Sequence, residues 1–305
     1  MADGLQVSNP VFPPGFRNLV SVVVELDMEY STLQEFLVTS PNVRILSLKI
    51  VDRDFRFDST KGRLPPFKEL KLYSYPWRHT SAETALLWDF SKLECLFFHA
   101  KRHSYENFLT AGATQQFPHL RKLDCLSEMT YPISRRHEEE SSAEHELGMF
   151  ISKLRRLEDL TTSRYCPGTL VSYISRVGAG LKKLRLKVGQ ESTNRFLRTA
   201  DLLRLQQNCP DLEVLEIHCD PAEAGPKMAD LEPLLDVLCG FEKVAYLEVE
   251  CVSHWKIPTA DEKDLYRHMM EHKRGTSLLN FEYTEVIRQR QLVPGTNSWR
   301  HFEEW

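Results

Sequence analysis

One pattern constrains this chain more than any other. A hexamer of the form apolar-x-x-apolar-x-apolar recurs nine times. It reads Leu19-Val22-Val24, Val43-Leu46-Leu48, Phe67-Leu70-Leu72, Leu93-Leu96-Phe98 and Leu120-Leu123-Cys125. It continues as Leu157-Leu160-Thr162, Leu181-Leu184-Leu186, Leu212-Leu215-Ile217 and Val244-Leu247-Val249. Successive hexamers begin 24, 24, 26, 27, 37, 24, 31 and 32 residues apart. Self-similarity at a period of about 28 residues marks a repeat architecture. Within each hexamer the fourth and sixth positions alternate about one outward residue, the period of a short strand with one buried face.

The segments between hexamers carry a different period. Thr32–Thr39 places Leu33, Phe36 and Leu37 on one helical stripe, and Ser81–Phe90 places Ala85, Leu86 and Trp88. Stripes recur in Ser104–Ala111, Glu144–Leu154, Thr169–Val177, Arg195–Gln207 and Leu231–Phe241. This i, i+3, i+4 spacing predicts helices with one buried side. Several run into Pro or Gly before the next hexamer, as at Ser40-Pro41, Phe117-Pro118, Ala179-Gly180, Cys209-Pro210 and Gly240. Proline cannot continue a helix. Asp52–Leu64 lacks a stripe and predicts an irregular crossing, and the 37-residue step predicts a solvated insertion over Ser127–Glu146. Strand then helix, repeated, is one right-handed turn per repeat. The prediction is an α/β solenoid with a parallel concave sheet of about nine strands and helices on the convex side.

Asn208-Cys-Pro-Asp-Leu-Glu-Val-Leu-Glu-Ile-His-Cys219 resembles the repeat of cysteine-containing leucine-rich-repeat proteins. Ser40–Leu48 and Phe117–Cys125 are weaker versions of it. The irregular repeat lengths and Pro-x-Leu-x-x-Leu openings are similar to those of fungal F-box/leucine-rich-repeat proteins, of the RNI-like kind. The resemblance implies a leucine-rich-repeat horseshoe that binds a protein in its concave groove. It further implies substrate recognition for an SCF-type ubiquitin ligase, in which a separate F-box holds a Skp1-type adaptor. An F-box is a helical module preceding the repeats, and no such module is recognisable here, so the adaptor is expected only if an F-box exists outside this chain. The alternative expectation is an interaction scaffold with no ubiquitin-ligase link.

The expected organisation is a single solenoid over 1–305: an edge segment over 1–16, about nine repeats over 17–252, and a cap helix and tail over 253–305. The cap helix is Asp261–Lys273, with a further strand near Leu278–Tyr283. Val11–Phe16 is expected to cover the open edge of the first strand. Composition narrows the partners. The formal net charge of −4 gives no basic excess for nucleic acid. No apolar run reaches the ~18–20 residues that span a bilayer, and Met1–Pro10 holds no basic residue and no apolar block, so no signal peptide is read. Seven cysteines, at 95, 125, 166, 209, 219, 239 and 251, form no CxxC. Free thiols in a reducing compartment, cytoplasmic or nuclear, are expected.

Alternation puts hexamer positions three, five and seven on the outward face of each strand. Two clusters emerge there. Lys71, Tyr73, Phe97 and His99 come together from the third and fourth repeats, with Tyr75 and Trp77 on the following loop. Exposed aromatics among cations resemble a protein-recognition hot spot; the competing reading packs Tyr75 and Trp77 under the loops. In the seventh to ninth repeats Lys183, Arg185 and Lys187 face Glu216, Glu248 and Glu250, with His218 and Tyr246 beside them. They form either a cross-strand ion-pair ladder or a bipolar groove for a charged peptide. The candidate partner-binding residues are Lys71, Tyr73, Trp77, Phe97, His99, Arg185, Lys187, Glu216, His218, Tyr246 and Glu248.

Catalytic signals are poor, and no enzyme activity, cofactor or metal is expected. His268-Met-Met-Glu271-His272 matches the HxxEH zinc pattern, but it sits in the presumed cap helix without a third ligand. No GxGxxG, GxxxxGK[ST] or GxSxG occurs. Cysteines 95, 125, 219 and 251 lie in or beside strands and read as packing groups.

Overall fold

The computed structural model describes residues 18–26, 31–50, 54–128, 145–163, 167–187, 197–219, 228–253, 262–292 and 299–303. They fall in two compact units, one within residues 1–165 and one within 166–305. The segments 1–16 and 129–144, which carry the edge-cover and most of the insertion readings, lie outside the described residues.

The first unit holds six strands, β1 (Ser21–Leu26), β2 (Ile45–Ile50), β3 (Glu69–Tyr73), β4 (Cys95–Lys101), β5 (Lys122–Glu128) and β6 (Asp159–Thr162). Each pairs with the next in chain order, and all are parallel. Its helices are α1 (Ser31–Thr39), α2 (Ser81–Leu87), α3 (Arg102–Gly112) and α4 over 145–151. The second unit holds β7 (Lys183–Leu186), β8 (Val214–Cys219), β9 (Tyr246–Ser253), β10 (Asn280–Leu292) and β11 (Trp299–Glu303). β7 to β10 are parallel in chain order, and β11 runs antiparallel to β10. Its helices are α5 (Pro167–Ile174), α6 (Thr199–Asn208), α7 (Met228–Cys239) and α8 (Glu262–His272), which pack in succession. The sequence reading counted about nine parallel strands. The strand expected near 278–283 supplies a tenth, and a short antiparallel one follows it.

Register explains why the hexamer repeats. The fourth positions pair across the strands as Val22, Leu46, Leu70, Leu96, Leu123 and Leu160 in the first unit. In the second they pair as Leu184, Leu215 and Leu247. All of these are buried. The first positions are buried too, apart from half-buried Leu19, and seven of them close a turn that recurs in both units. Val43, Leu93, Leu120 and Leu157 donate their N–H to the carbonyls of Ser40, Phe90, Phe117 and Leu154. Leu181, Leu212 and Val244 donate to Gly178, Cys209 and Phe241. The second positions carry the backbone ladder between repeats. The carbonyl of Arg44 accepts from Lys68 and Glu69, that of Lys68 from Glu94 and Cys95, and that of Glu213 from Ala245 and Tyr246. Their side chains add ion pairs, Lys68–Glu94 at 3.2 Å and Arg121–Glu158 at 2.5 Å. Gly178 is required by close approach, since a Cβ there would lie 2.6 Å from the Asn208 carbonyl.

The core of the first unit is aromatic. Trp77 stacks on Trp88 with centroids 5.5 Å apart and meets Phe108 edge-on at 4.9 Å. Phe98 of β4 lies 4.4 Å from Phe108 of α3, which fixes that helix to the buried face of the sheet. Phe55 and Phe57, from the segment without a helical stripe, are buried against Tyr75 and Trp88. That segment is irregular as predicted, with a single 3-10 turn over Ser59–Lys61. Buried Gln34 of α1 holds it, donating Nε2 to the Asp58 carbonyl at 2.6 Å and accepting the Asp58 N–H at 2.7 Å. Helix α2 opens on a capping box in which Thr80 and Glu83 satisfy each other's backbone N–H groups. In the second unit, Lys273 caps the turn after α8 by donating to the Phe241 and Arg274 carbonyls, both at 2.6 Å.

Two predictions follow from the way this core is satisfied. Replacing Gln34 by Leu strands both Asp58 backbone groups and lowers stability by about 1–3 kcal/mol, read as a shift in urea midpoint. The second concerns His79, which is buried with Nε2 hydrogen-bonded to the Tyr75 hydroxyl, 2.8 Å away. Burial first, and then the Arg56 charge, holds His79 down to about 4. The unfolded chain titrates near the ordinary histidine value, so between those two values it binds a proton the folded state refuses. Stability is therefore complete above about pH 6.5 and falls as pH drops toward 4, by about 2 kcal/mol between pH 7 and pH 5. Urea melts at the two pH values check this, and His79→Gln should remove most of the difference.

Candidate functional site

The face of the sheet opposite the helices is built by the outward positions of the hexamers. In β4 the alternation is clean: Leu96, Phe98 and Ala100 are buried, while Cys95, Phe97 and His99 are half-buried. Parallel register sets equivalent outward residues side by side. Lys71 therefore pairs with Phe97 and Phe97 with Asp124, while Tyr73 pairs with His99.

Four of the candidate residues in the first unit do come together. Phe97 lies between two ammonium groups from the flanking strands, with Lys71 Nζ 5.2 Å and Lys122 Nζ 5.0 Å from the ring centroid. Such a contact is worth about 0.5–1 kcal/mol at an exposed site. Lys71 is paired with Glu69 at 2.6 Å, and this hydrogen bond raises its pKa above the usual lysine value. Lys122 is paired with Asp159 at 3.4 Å. His99 is held from two sides. Its Nε2 lies 2.9 Å from Asp124 Oδ1, and its ring stands edge-on to Tyr73 at 5.2 Å and 88°. The result is a pre-ordered surface of an aromatic ring, two cations and a histidine, each fixed by a neighbour. Cys95 sits in the same row, and its thiol is raised first by burial and then by Glu69.

Trp77 does not belong to this surface. The sequence reading placed it on an exposed rim loop as a partner-binding residue; it is fully buried, as is Tyr75. The physical reason is the turn after β3. Ser74 adopts a left-handed backbone with φ of 54° and donates its N–H to the His99 carbonyl. The Trp77 N–H then closes back on the Tyr75 carbonyl at 2.9 Å. Both rings lie among Trp88, Phe98 and Phe108. Lys122 and Asp124 were missed as members of the cluster. Their signal was available in the outward rows of the fifth hexamer, since register places Lys122 beside Cys95 and Asp124 beside Phe97.

In the second unit, the expected ion-pair ladder is realised at Arg185–Glu216, 2.6 Å apart. His218 Nδ1 lies 3.3 Å from Glu250 Oε2. Beyond that rung the row turns acidic, because Glu216, Glu248 and Glu282 occupy directly opposed positions on β8, β9 and β10. Like charges so placed repel. Tyr246 donates its hydroxyl to Glu248 at 3.4 Å, and its phenol is raised by desolvation and by Glu248, Glu282 and Glu216 in that order. Lys187 is exposed one residue past the end of β7.

His268 Nε2 meets Asp236 at 3.0 Å, and the rings of His268 and His272 stack at 4.3 Å. Among the described residues no group of three His, Cys, Asp or Glu side chains could hold a metal ion. Burial pushes the thiols of Cys125, Cys209 and Cys239 up, that of Cys209 to about 12, which disfavours the reactive thiolate. Among the described residues no helix is long and apolar enough to cross a membrane. Compared with known proteins, the sequence matches no family model and no curated protein.

The two aromatic positions should respond differently to truncation. Trp77→Ala should cost about 3–5 kcal/mol, as expected for a buried aromatic. Phe97→Ala should cost no more than about 1–2 kcal/mol, the two cation–π contacts and a half-buried ring. Urea denaturation of the two variants checks the difference.

Proposed function

We propose that this chain is a leucine-rich-repeat protein that recognises another protein through the open face of its parallel sheet, without catalysis. The observation that carries the reading is the Phe97 surface. An aromatic ring, two lysines and a histidine are held half-buried and in register by their neighbours, so little side-chain entropy is lost when a partner covers them. Large aromatic and cationic groups pre-ordered in this way are the composition of interface hot spots. The acidic row Glu216–Glu248–Glu282 supports the same reading for the second unit, because mutual repulsion among these carboxylates is relieved by a partner that brings positive charge. The resemblance of the repeats to F-box/leucine-rich-repeat proteins extends the reading to substrate recognition for an SCF-type ubiquitin ligase. The alternative is an interaction scaffold without that link.

Affinity purification of the tagged chain, alongside a Phe97→Ser/Lys71→Gln double variant, tests the reading. Partners retained by the parent and lost by a folded variant support recognition through this face. Partners retained equally by both would sink it. A Skp1-type adaptor among the partners favours the ligase reading; stable partners without one favour the scaffold.

A further inference from the structure

A cavity of about 610 Å³ opens in the first unit at the carboxyl ends of β2, β3 and β4, away from the Phe97 surface. Its size falls in the ~300–1,000 Å³ range of small-molecule sites. The ends of parallel strands are where α/β sheets collect ligands, because helix N-termini converge there.

The lining is basic. It includes Lys49, Arg78, Lys101 and His103, and no acidic side chain among the described residues. Lys49 and Arg78 have exposed partners, Glu25 at 3.5 Å and Asp54 at 3.2 Å, and Glu106 of α3 pairs with Arg102 at 2.7 Å and lies 3.9 Å from His103. Lys101 has no acidic partner among the described side chains. It is also the N-cap residue of α3, and it supplies no side-chain cap. The first-turn N–H groups of that helix, from which His103 and Ser104 line the cavity, have no intrahelical acceptor. This helix start is electrostatically inverted. Lys101, Arg102 and His103 crowd the positive end of the helix dipole, where acidic residues are favoured. Helix α2, with its Thr80–Glu83 box, shows what this fold does when a helix start has only to be stable.

One further observation points to an occupant. Ser74 lines the cavity at the turn that buries Trp77. Trp77, fully buried, also lines it, and its indole Nε1–H has no hydrogen-bond acceptor among the described residues. A buried donor left unpaired is a cost that a bound acceptor offsets.

We propose that this cavity is a binding site for an organic phosphate. Its phosphate group is met by the basic side chains and the first turn of α3, and its apolar body by Ile50, Pro76 and Trp77. Three fixed positive charges, a histidine and a fork of backbone N–H groups suit a doubly charged head better than a single carboxylate. The site uses neither Phe97, Lys71 nor Lys122, although Lys49 of its lining is in register with Tyr73 of the open face.

Isothermal titration of the full chain with phenyl phosphate tests it. Inorganic phosphate and a phosphoserine peptide serve as comparison probes. Saturable one-to-one binding of phenyl phosphate, tighter than that of inorganic phosphate, is expected. Lys101→Gln and Arg78→Gln should each weaken it by ~10-fold, as loss of one charge-assisted contact implies. Lys243→Gln, an exposed lysine of the second unit, should leave it unchanged, with circular dichroism confirming that each variant is folded. The proposal is overturned by absence of binding up to ~10 mM phenyl phosphate. Equal weakening by Lys243→Gln, equal affinity for inorganic phosphate, or tighter binding of the phosphopeptide would each overturn it as well.

Discussion

Everything in this structure depends on a parallel register that sets equivalent residues of neighbouring repeats side by side. Because Leu46, Leu70, Leu96, Leu123 and Leu160 are paired partners in adjacent strands, one apolar row is buried along the whole first unit. The same register places outward residues beside their counterparts in the neighbouring strand, one strand spacing away. A one-residue slip would send the entire apolar set to the open face. The recurrent turn at the first hexamer position and the paired acceptance at the second prevent it, since both are backbone hydrogen bonds made in the same place by successive repeats.

The two faces of the first unit divide the work between stability and recognition. Under the sheet, rings from Phe55 to Phe150 form a continuous aromatic core, and its few polar atoms are held by particular partners, as Gln34 holds Asp58. On the open face the aromatic content is small and the lysines around Phe97 are tied to neighbours, so order there comes from ion pairs and cation–π contacts. Surface ion pairs of this kind add little stability. Their consequence is the placement of Phe97, Tyr73 and His99.

Much of this was legible beforehand in particular residues. The strands, the helices, the irregular passage through Phe55 and Phe57, and the pairing of Tyr73 with His99 all follow from period and alternation. Trp77 was not legible, because periodicity says nothing about a loop. Whether the chain after β3 turns outward or inward rests on one left-handed residue, Ser74, and on aromatic space supplied by Trp88 and Phe108 from other repeats. The partnership of Phe97 with Lys122 lay in the rows but was obscured by grouping residues within two repeats instead of across three.

The amino-acid sequence by itself determined the α/β class, the strand order and which side chains face away from the core. Those follow from local period and from the crossover segment between successive strands, which makes neighbours parallel. Only the tertiary structure decided which outward residues touch, which loop aromatics are buried, and where basic side chains and an uncapped helix start enclose a cavity. Each of these joins residues from different repeats. Their contacts depend on the spacing between strands and on the path of irregular backbone, and neither is encoded in any single repeat.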